Sequence, residues 1–125
     1  MRGGADLAGC RILVVEDNFL LAMEIEDVLG RQGCVVLGPV GTVEQALLLL
    51  EREARPDGAV LDVDLQGRTV TPVAAALIAR DVPFVLVTGY ADPQLADPEL
   101  HGRPRLDKPV SGPDLLRALA HLLRA

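Results

Sequence analysis

Apolar positions along this chain fall into short continuous runs, separated by longer stretches in which they recur at helical spacing. The runs are "ILVV" (12–15), "CVVL" (34–37), "AVL" (59–61), "FVLV" (84–87) and a weaker one around Leu106. Continuous rather than alternating runs suit strands buried on both faces, as in a parallel sheet covered by helices. Between them, Leu21, Ile25, Val28 and Leu29 mark a helix over 18–30, with Asn18 as its N-cap and Gly30 as its expected stop. Thr42 with Gln45 forms a capping box for "VEQALLLLERE", and Ser111 with Asp114 a similar one for "PDLLRALAHLLR". Pro72 suits the first turn of "TPVAAALIAR", where its missing N–H costs nothing.

Strand and helix alternate five times, and right-handed crossovers turn that rhythm into an α/β doubly wound sheet with helices on both faces. Residues 11–125 are expected to form this one domain, preceded by a flexible N-terminal segment, 1–10. The segment 89–107 must supply the fourth helix and the last strand, yet it contains Pro93, Pro98, Pro104 and Gly102. Each proline removes a donor and disfavours helical geometry in the residue before it, so the fourth helix is expected to be short or irregular.

Composition narrows the function. Half of the 125 residues are apolar, enough for a real core, and only Phe19, Phe84 and Tyr90 are aromatic, so that core must be aliphatic. A net charge of -6, with no local cluster of cations, argues against direct nucleic-acid binding and against anionic membranes. "LAGC" at 7–10 mimics a lipoprotein cleavage box, but no apolar segment precedes it, and "PVAAALIA" is too short to span a bilayer. Two cysteines, Cys10 and Cys34, do not make a disulfide scaffold, which fits a reduced, cytoplasmic setting.

In doubly wound sheets ligands bind at the carboxyl ends of the strands, so the residues after each run become candidates. They are Glu16 and Asp17, then Asp62 and Asp64, then Thr88, then Lys108. Crowded carboxylates at strand ends call for a hard divalent cation such as Mg²⁺. A carboxylate can also attack phosphorus while hydroxyl and ammonium groups contact the phosphoryl oxygens. Lys108 is the single lysine beside eleven arginines, and a compact ammonium makes a single-oxygen contact that a planar guanidinium does not. Taken singly, Glu16 and Asp17 also suit a helix N-terminus, and Asp64 or Asp107 to Pro109 a turn; their order along the chain is what points to chemistry. His101 and His121 lack partners at metal-ligand spacing.

With "ILVVEDN", "AVLDVDLQG", "FVLVTGY" and "LDKPV" in this order, the sequence resembles a response-regulator receiver domain of two-component signalling, over nearly its whole length. The resemblance implies a five-stranded parallel sheet of order 2-1-3-4-5 and a phosphoacceptor, Asp62. It implies Glu16 and Asp17 as the acidic pair, Mg²⁺ held by these acids, Asp62 and the backbone carbonyl of Asp64, and Thr88 and Lys108 on the phosphoryl oxygens. Pro109 would set a cis peptide. Phosphate would come from a sensor histidine kinase or phosphotransfer protein, and a downstream protein partner would read the result; turnover of a substrate as an enzyme is not implied. Arg105 stands where receivers usually carry an aromatic switch residue, and "PFVLVTGY" resembles a variant subfamily with a Pro-Phe-x-Phe-Ala-Thr-Gly-Tyr signature, often paired with HWE-type kinases. Tyr90 then becomes the candidate sensor of Thr88 movement, with 90–104 ordering on phosphorylation. A haloacid-dehalogenase-like phosphatase is the alternative, because "LDVDLQG" carries its Asp-x-Asp core, although that family places the motif on the first strand.

Overall fold

The computed structural model describes residues 7–89 and 93–124. Five parallel strands form one sheet: β1 (Arg11–Val15), β2 (Val35–Val40), β3 (Gly58–Asp62), β6 (Phe84–Thr88) and β7 (Arg105–Asp107), in the order β2-β1-β3-β6-β7. Two-residue strands β4 (Asp64–Leu65) and β5 (Arg68–Thr69) form a separate hairpin after β3. With that hairpin set aside, the order is the expected 2-1-3-4-5.

Side chains alternate across the sheet, and both faces are apolar. Leu13 and Val15 of β1 join Leu61, Phe84 and Leu86 in one core, under α2 (Val43–Arg52) and α3 (Thr71–Ala79). Ile12 and Val14 join Val60, Val85 and Val87 in the other, under α1 (Phe19–Arg31) and α4 (Gly112–Leu123). Two buried faces explain why the strand runs are continuous rather than alternating. Among the described residues, no helix is long and apolar enough to cross a membrane.

The caps follow the sequence. Asn18 accepts from the Leu21 N–H, Thr42 from the Gln45 N–H and Ser111 from the Asp114 N–H. The reciprocal Gln45 bond goes to the Gly41 N–H, one residue earlier than a standard capping box places it. Helix α2 stops before Pro56, whose ring bars helical geometry in the preceding residue.

Three boundaries differ from expectation. Gly30 does not end α1; the helix runs on to Arg31, and Gly33, at φ +81°, makes the left-handed turn that a glycine adopts without strain. Residues 7–10 belong to the packed domain: Leu7 is only 2% exposed, and the Gly9 N–H donates to the Gly33 carbonyl at 2.8 Å. The second strand begins at Val35 and continues through a cis Gly38–Pro39 peptide to Val40, with a register shift against β1. The fourth helix is reduced to a 3₁₀ turn at Pro93–Ala96, as the prolines require.

Candidate functional site

Neighbouring strands deliver the site. Val15 of β1 pairs with Leu61 of β3, so Glu16 and Asp62 leave the sheet side by side. Thr88 ends β6, which lies next to β3, and its carbonyl accepts from the Lys108 N–H at 2.9 Å just beyond β7. The Lys108–Pro109 peptide is cis, as expected. Four strands thus place two acids, a third carboxylate, a hydroxyl and an ammonium on one edge, with Lys108 46 residues beyond Asp62 in sequence.

One carboxylate oxygen from each of Glu16, Asp17 and Asp62 lies within 4.8 Å of the other two. Glu16 and Asp62 are 3% and 2% exposed, and Thr88 1%. Lys108 reaches over the end of β6 to place Nζ 3.4 Å from Asp62 Oδ2 and 3.8 Å from Glu16 Oε2. Glu16 Oε2 also accepts from the Asn18 N–H, whereas buried Glu16 Oε1 has no hydrogen-bond partner among the described residues. The Asp64 N–H donates to Asp62 Oδ1 at 3.3 Å, and the Thr88 hydroxyl donates to the Gly89 carbonyl at 3.0 Å.

Burial first, then a shared hydrogen bond and repulsion with Glu16, push the Asp62 carboxyl up to about 8, against the opposing pull of Lys108. Three crowded carboxylates served by one ammonium, with an orphaned buried oxygen among them, fit a hard divalent cation that takes oxygen ligands.

The remaining candidates fall outside this cluster. The Asp64 side chain is exposed, and its Oδ1 accepts from the Gly67 N–H within the β4–β5 hairpin. Arg105 is exposed at the start of β7, 4.0 Å from Asp107 Oδ1. Tyr90 lies outside the described residues. His101 and His121 are both exposed. One link had no signal in the sequence: the Thr71 hydroxyl donates to Asp97 Oδ2 at 2.6 Å and lies 2.8 Å from the Thr69 hydroxyl, tying the start of α3 to the segment after the 3₁₀ turn.

The phosphatase alternative does not fit. Asp62 ends the third, central strand rather than the first, and the second acid of its motif turns away into a hairpin.

No protein-family model matches the chain. Among solved structures it is similar to SdrG from Sphingomonas melonis Fr1, with 44% identity, 92% of this chain and 97% of that one covered, and a TM-score of 0.79. It is also similar to a response regulator receiver protein from Sinorhizobium medicae WSM419, with 29% identity, 95% and 98% coverage, and a TM-score of 0.80. The chain belongs to the response-regulator receiver domains. Among curated proteins, the transcriptional regulatory protein PdtaR of Mycobacterium tuberculosis is 27% identical over 112 residues, 87% of this receiver chain. The chain spans about half (54%) of the length of that relative.

Proposed function

We propose that Asp62 takes a phosphoryl group from the phosphohistidine of a sensor kinase or phosphotransfer protein, and that the receiver then changes its affinity for a downstream protein. The observation that carries this reading is the buried Asp62 carboxylate between the Glu16–Asp17 pair and the Lys108 ammonium. In the step, an Asp62 oxygen attacks phosphorus, the P–N bond breaks and the imidazole leaves with the electron pair. Asp62 must be ionised to attack; its raised pKa keeps it largely protonated in a cation-free site, and Lys108 offsets part of that cost.

Glu16, Asp17 and Asp62, with the backbone carbonyl of Asp64, are the groups that would hold Mg²⁺, which when bound supplies positive charge for the carboxylates and phosphoryl oxygens. Lys108 donates to one phosphoryl oxygen and the Thr88 hydroxyl turns from Gly89 to another. The protein is a cytoplasmic switch rather than an enzyme: it carries one phosphoryl group and loses it slowly to water.

The exposed Phe19 and Leu20, 74% and 72% accessible at the start of α1, together with a cavity of about 270 Å³ lined by Asp17, Met23 and Pro39, supply an apolar seat for the phosphodonor beside the acids. The likeness of "PFVLVTGY" to the variant signature often paired with HWE-type kinases is what supports a partner kinase of that type.

Incubation with a small phosphodonor and Mg²⁺ tests the core of this reading. An alkali-labile label is expected on the wild-type protein and not on folded Asp62→Asn. Equal labelling of the two would remove Asp62 as the acceptor.

A further inference from the structure

At the sheet end opposite Asp62, Cys10 and Cys34 immediately precede β1 and β2. Arg11 and Val35 are register partners in that parallel pair, and the Val35 N–H donates to the Cys10 carbonyl at 2.8 Å. One step back along both chains sets Cys10 beside Cys34. Neighbouring strands lie about 4.8 Å apart, inside the roughly 4.4–6.8 Å window of α-carbon separations that a disulfide spans. Equal register also means the same face of the sheet, and both side chains pack against one apolar cluster that includes Leu7, Ile12 and Leu29. Both are half-buried, within reach of a small oxidant, and the Cys34 S–H donates to the Leu7 carbonyl at 3.5 Å.

We propose that Cys10 and Cys34 form a redox site, which a hydroperoxide converts to an intrachain disulfide and a thiol reductant restores. One thiolate attacks the peroxide O–O bond, giving a sulfenic acid and releasing the alcohol, or water from hydrogen peroxide. The second thiol then attacks the sulfenic sulfur; the S–S bond forms, the S–O bond breaks and water leaves. Two thiols lose two electrons and two protons, and one peroxide is reduced.

Reversibility follows from the geometry. A parallel in-register pair holds its β-carbons near the strand spacing of about 4.8 Å, wider than the roughly 3.8 Å of a relaxed disulfide, and strained disulfides are the reducible ones. Burial, and then the neighbouring Cys10 sulfur, hold the Cys34 thiol above its ordinary value of 9.0, so the reaction should quicken as pH rises. The site stands independently of the phosphotransfer reading.

The test is peroxide treatment of the intact chain, followed by maleimide labelling and peptide mapping without reductant. The expected result is loss of both thiols together, a cross-linked pair of peptides containing Cys10 and Cys34, and full reversal by dithiothreitol. In Cys34→Ser, Cys10 should instead give a sulfenic acid trapped by dimedone. Oxidation of the two sulfurs to sulfinic acids without a cross-link, or cross-linking only between separate chains, would overturn the proposal.

Discussion

Lys108 Nζ lies 3.4 Å from Asp62 Oδ2, and this contact spans the end of β6 to reach a carboxylate two strands away. The ammonium is the one group opposing four causes that raise the Asp62 pKa: burial, the Glu16 hydrogen bond and repulsion, and an Asp17 hydrogen bond. Replacing Lys108 by Ala should therefore leave Asp62 harder to ionise and remove a charged donor to the phosphoryl group. A hydrogen bond to a charged group contributes about 1.5–3 kcal/mol, so labelling by a small phosphodonor should slow by roughly tenfold or more. Lys108→Arg should not restore the rate, since the planar fork cannot make the same compact contact. A rate within twofold of wild type in Lys108→Ala would show that the lysine only fills space.

The same buried carboxyl makes stability depend on pH. Between its ordinary value of 3.8 and about 8, native Asp62 keeps its proton while the unfolded chain has lost it. The native state binds more protons across that window, so without divalent metal, stability should fall as pH rises through it. The slope from one group reaches at most about 1.4 kcal/mol per pH unit. Asp62→Asn abolishes this titration and should flatten the profile. Urea unfolding between about pH 5 and pH 8, with chelator present, checks the sign; identical slopes in the two proteins would reject it.

Mg²⁺ acts on the same imbalance from the other side. A ligand that binds only the native state stabilises it by about 2.7 kcal/mol at a hundredfold excess over Kd, so Tm should climb with Mg²⁺ concentration. Asp17 contributes an oxygen to the three-carboxylate cluster. Asp17→Asn should shift the Mg²⁺ titration to higher concentration while raising the metal-free Tm slightly through relieved repulsion. An unaltered titration would take Asp17 out of the ligand set.

The hairpin after Asp62 carries local strain. Gln66 and Gly67 both have positive φ, +54° and +88°, between the paired residues Leu65 and Arg68, the geometry of a two-residue turn that favours Asn-Gly. Gln66→Asn should stabilise the fold by a few tenths of a kcal/mol up to about 1. Gly67→Ala should cost about 1 kcal/mol or more. Chemical denaturation resolves both, and a destabilised Gln66→Asn would mean that the glutamine side chain has a role beyond the turn.

What could be read in the sequence is what depends on neighbours along the chain or on strand ends. Asn18, Thr42 and Ser111 announced their caps because an N-cap bond reaches only three residues. The site was legible because a parallel sheet gathers the residue after every strand at one edge, so Glu16, Asp62, Thr88 and Lys108 needed no knowledge of side-chain packing. The misses are long-range. Leu7 looked like part of a tail because its burial depends on α1 and β1 packing over it. Gly33 outcompeted Gly30 because the turn's place is fixed by pairing of β2 with β1, which local spacing does not reveal. The Thr71–Asp97 bond joins residues 26 apart with no periodicity between them.

That bond bears on how a signal leaves the site. The segment that follows Thr88 is anchored by buried Leu100 in the core and by Asp97, whose carbonyl accepts from the Leu100 and His101 N–H groups while its carboxylate takes the Thr71 hydroxyl. Thr71 begins α3 directly after the hairpin that leaves Asp62, so one hydrogen bond connects the loop beyond Asp62 to the stretch beyond Thr88. Thr71→Val keeps the shape and deletes the donor, leaving the Asp97 carboxylate without that partner at a cost of about 1–3 kcal/mol. Local opening of residues 95–103 should then become roughly tenfold more frequent for each 1.4 kcal/mol lost, with α1 and α4 unaffected. Amide exchange reads this directly, with and without beryllofluoride and Mg²⁺. If phosphorylation orders this stretch, the activated wild type should gain protection there and Thr71→Val should gain less. Equal protection of 95–103 in all four samples would place the output surface elsewhere on the domain.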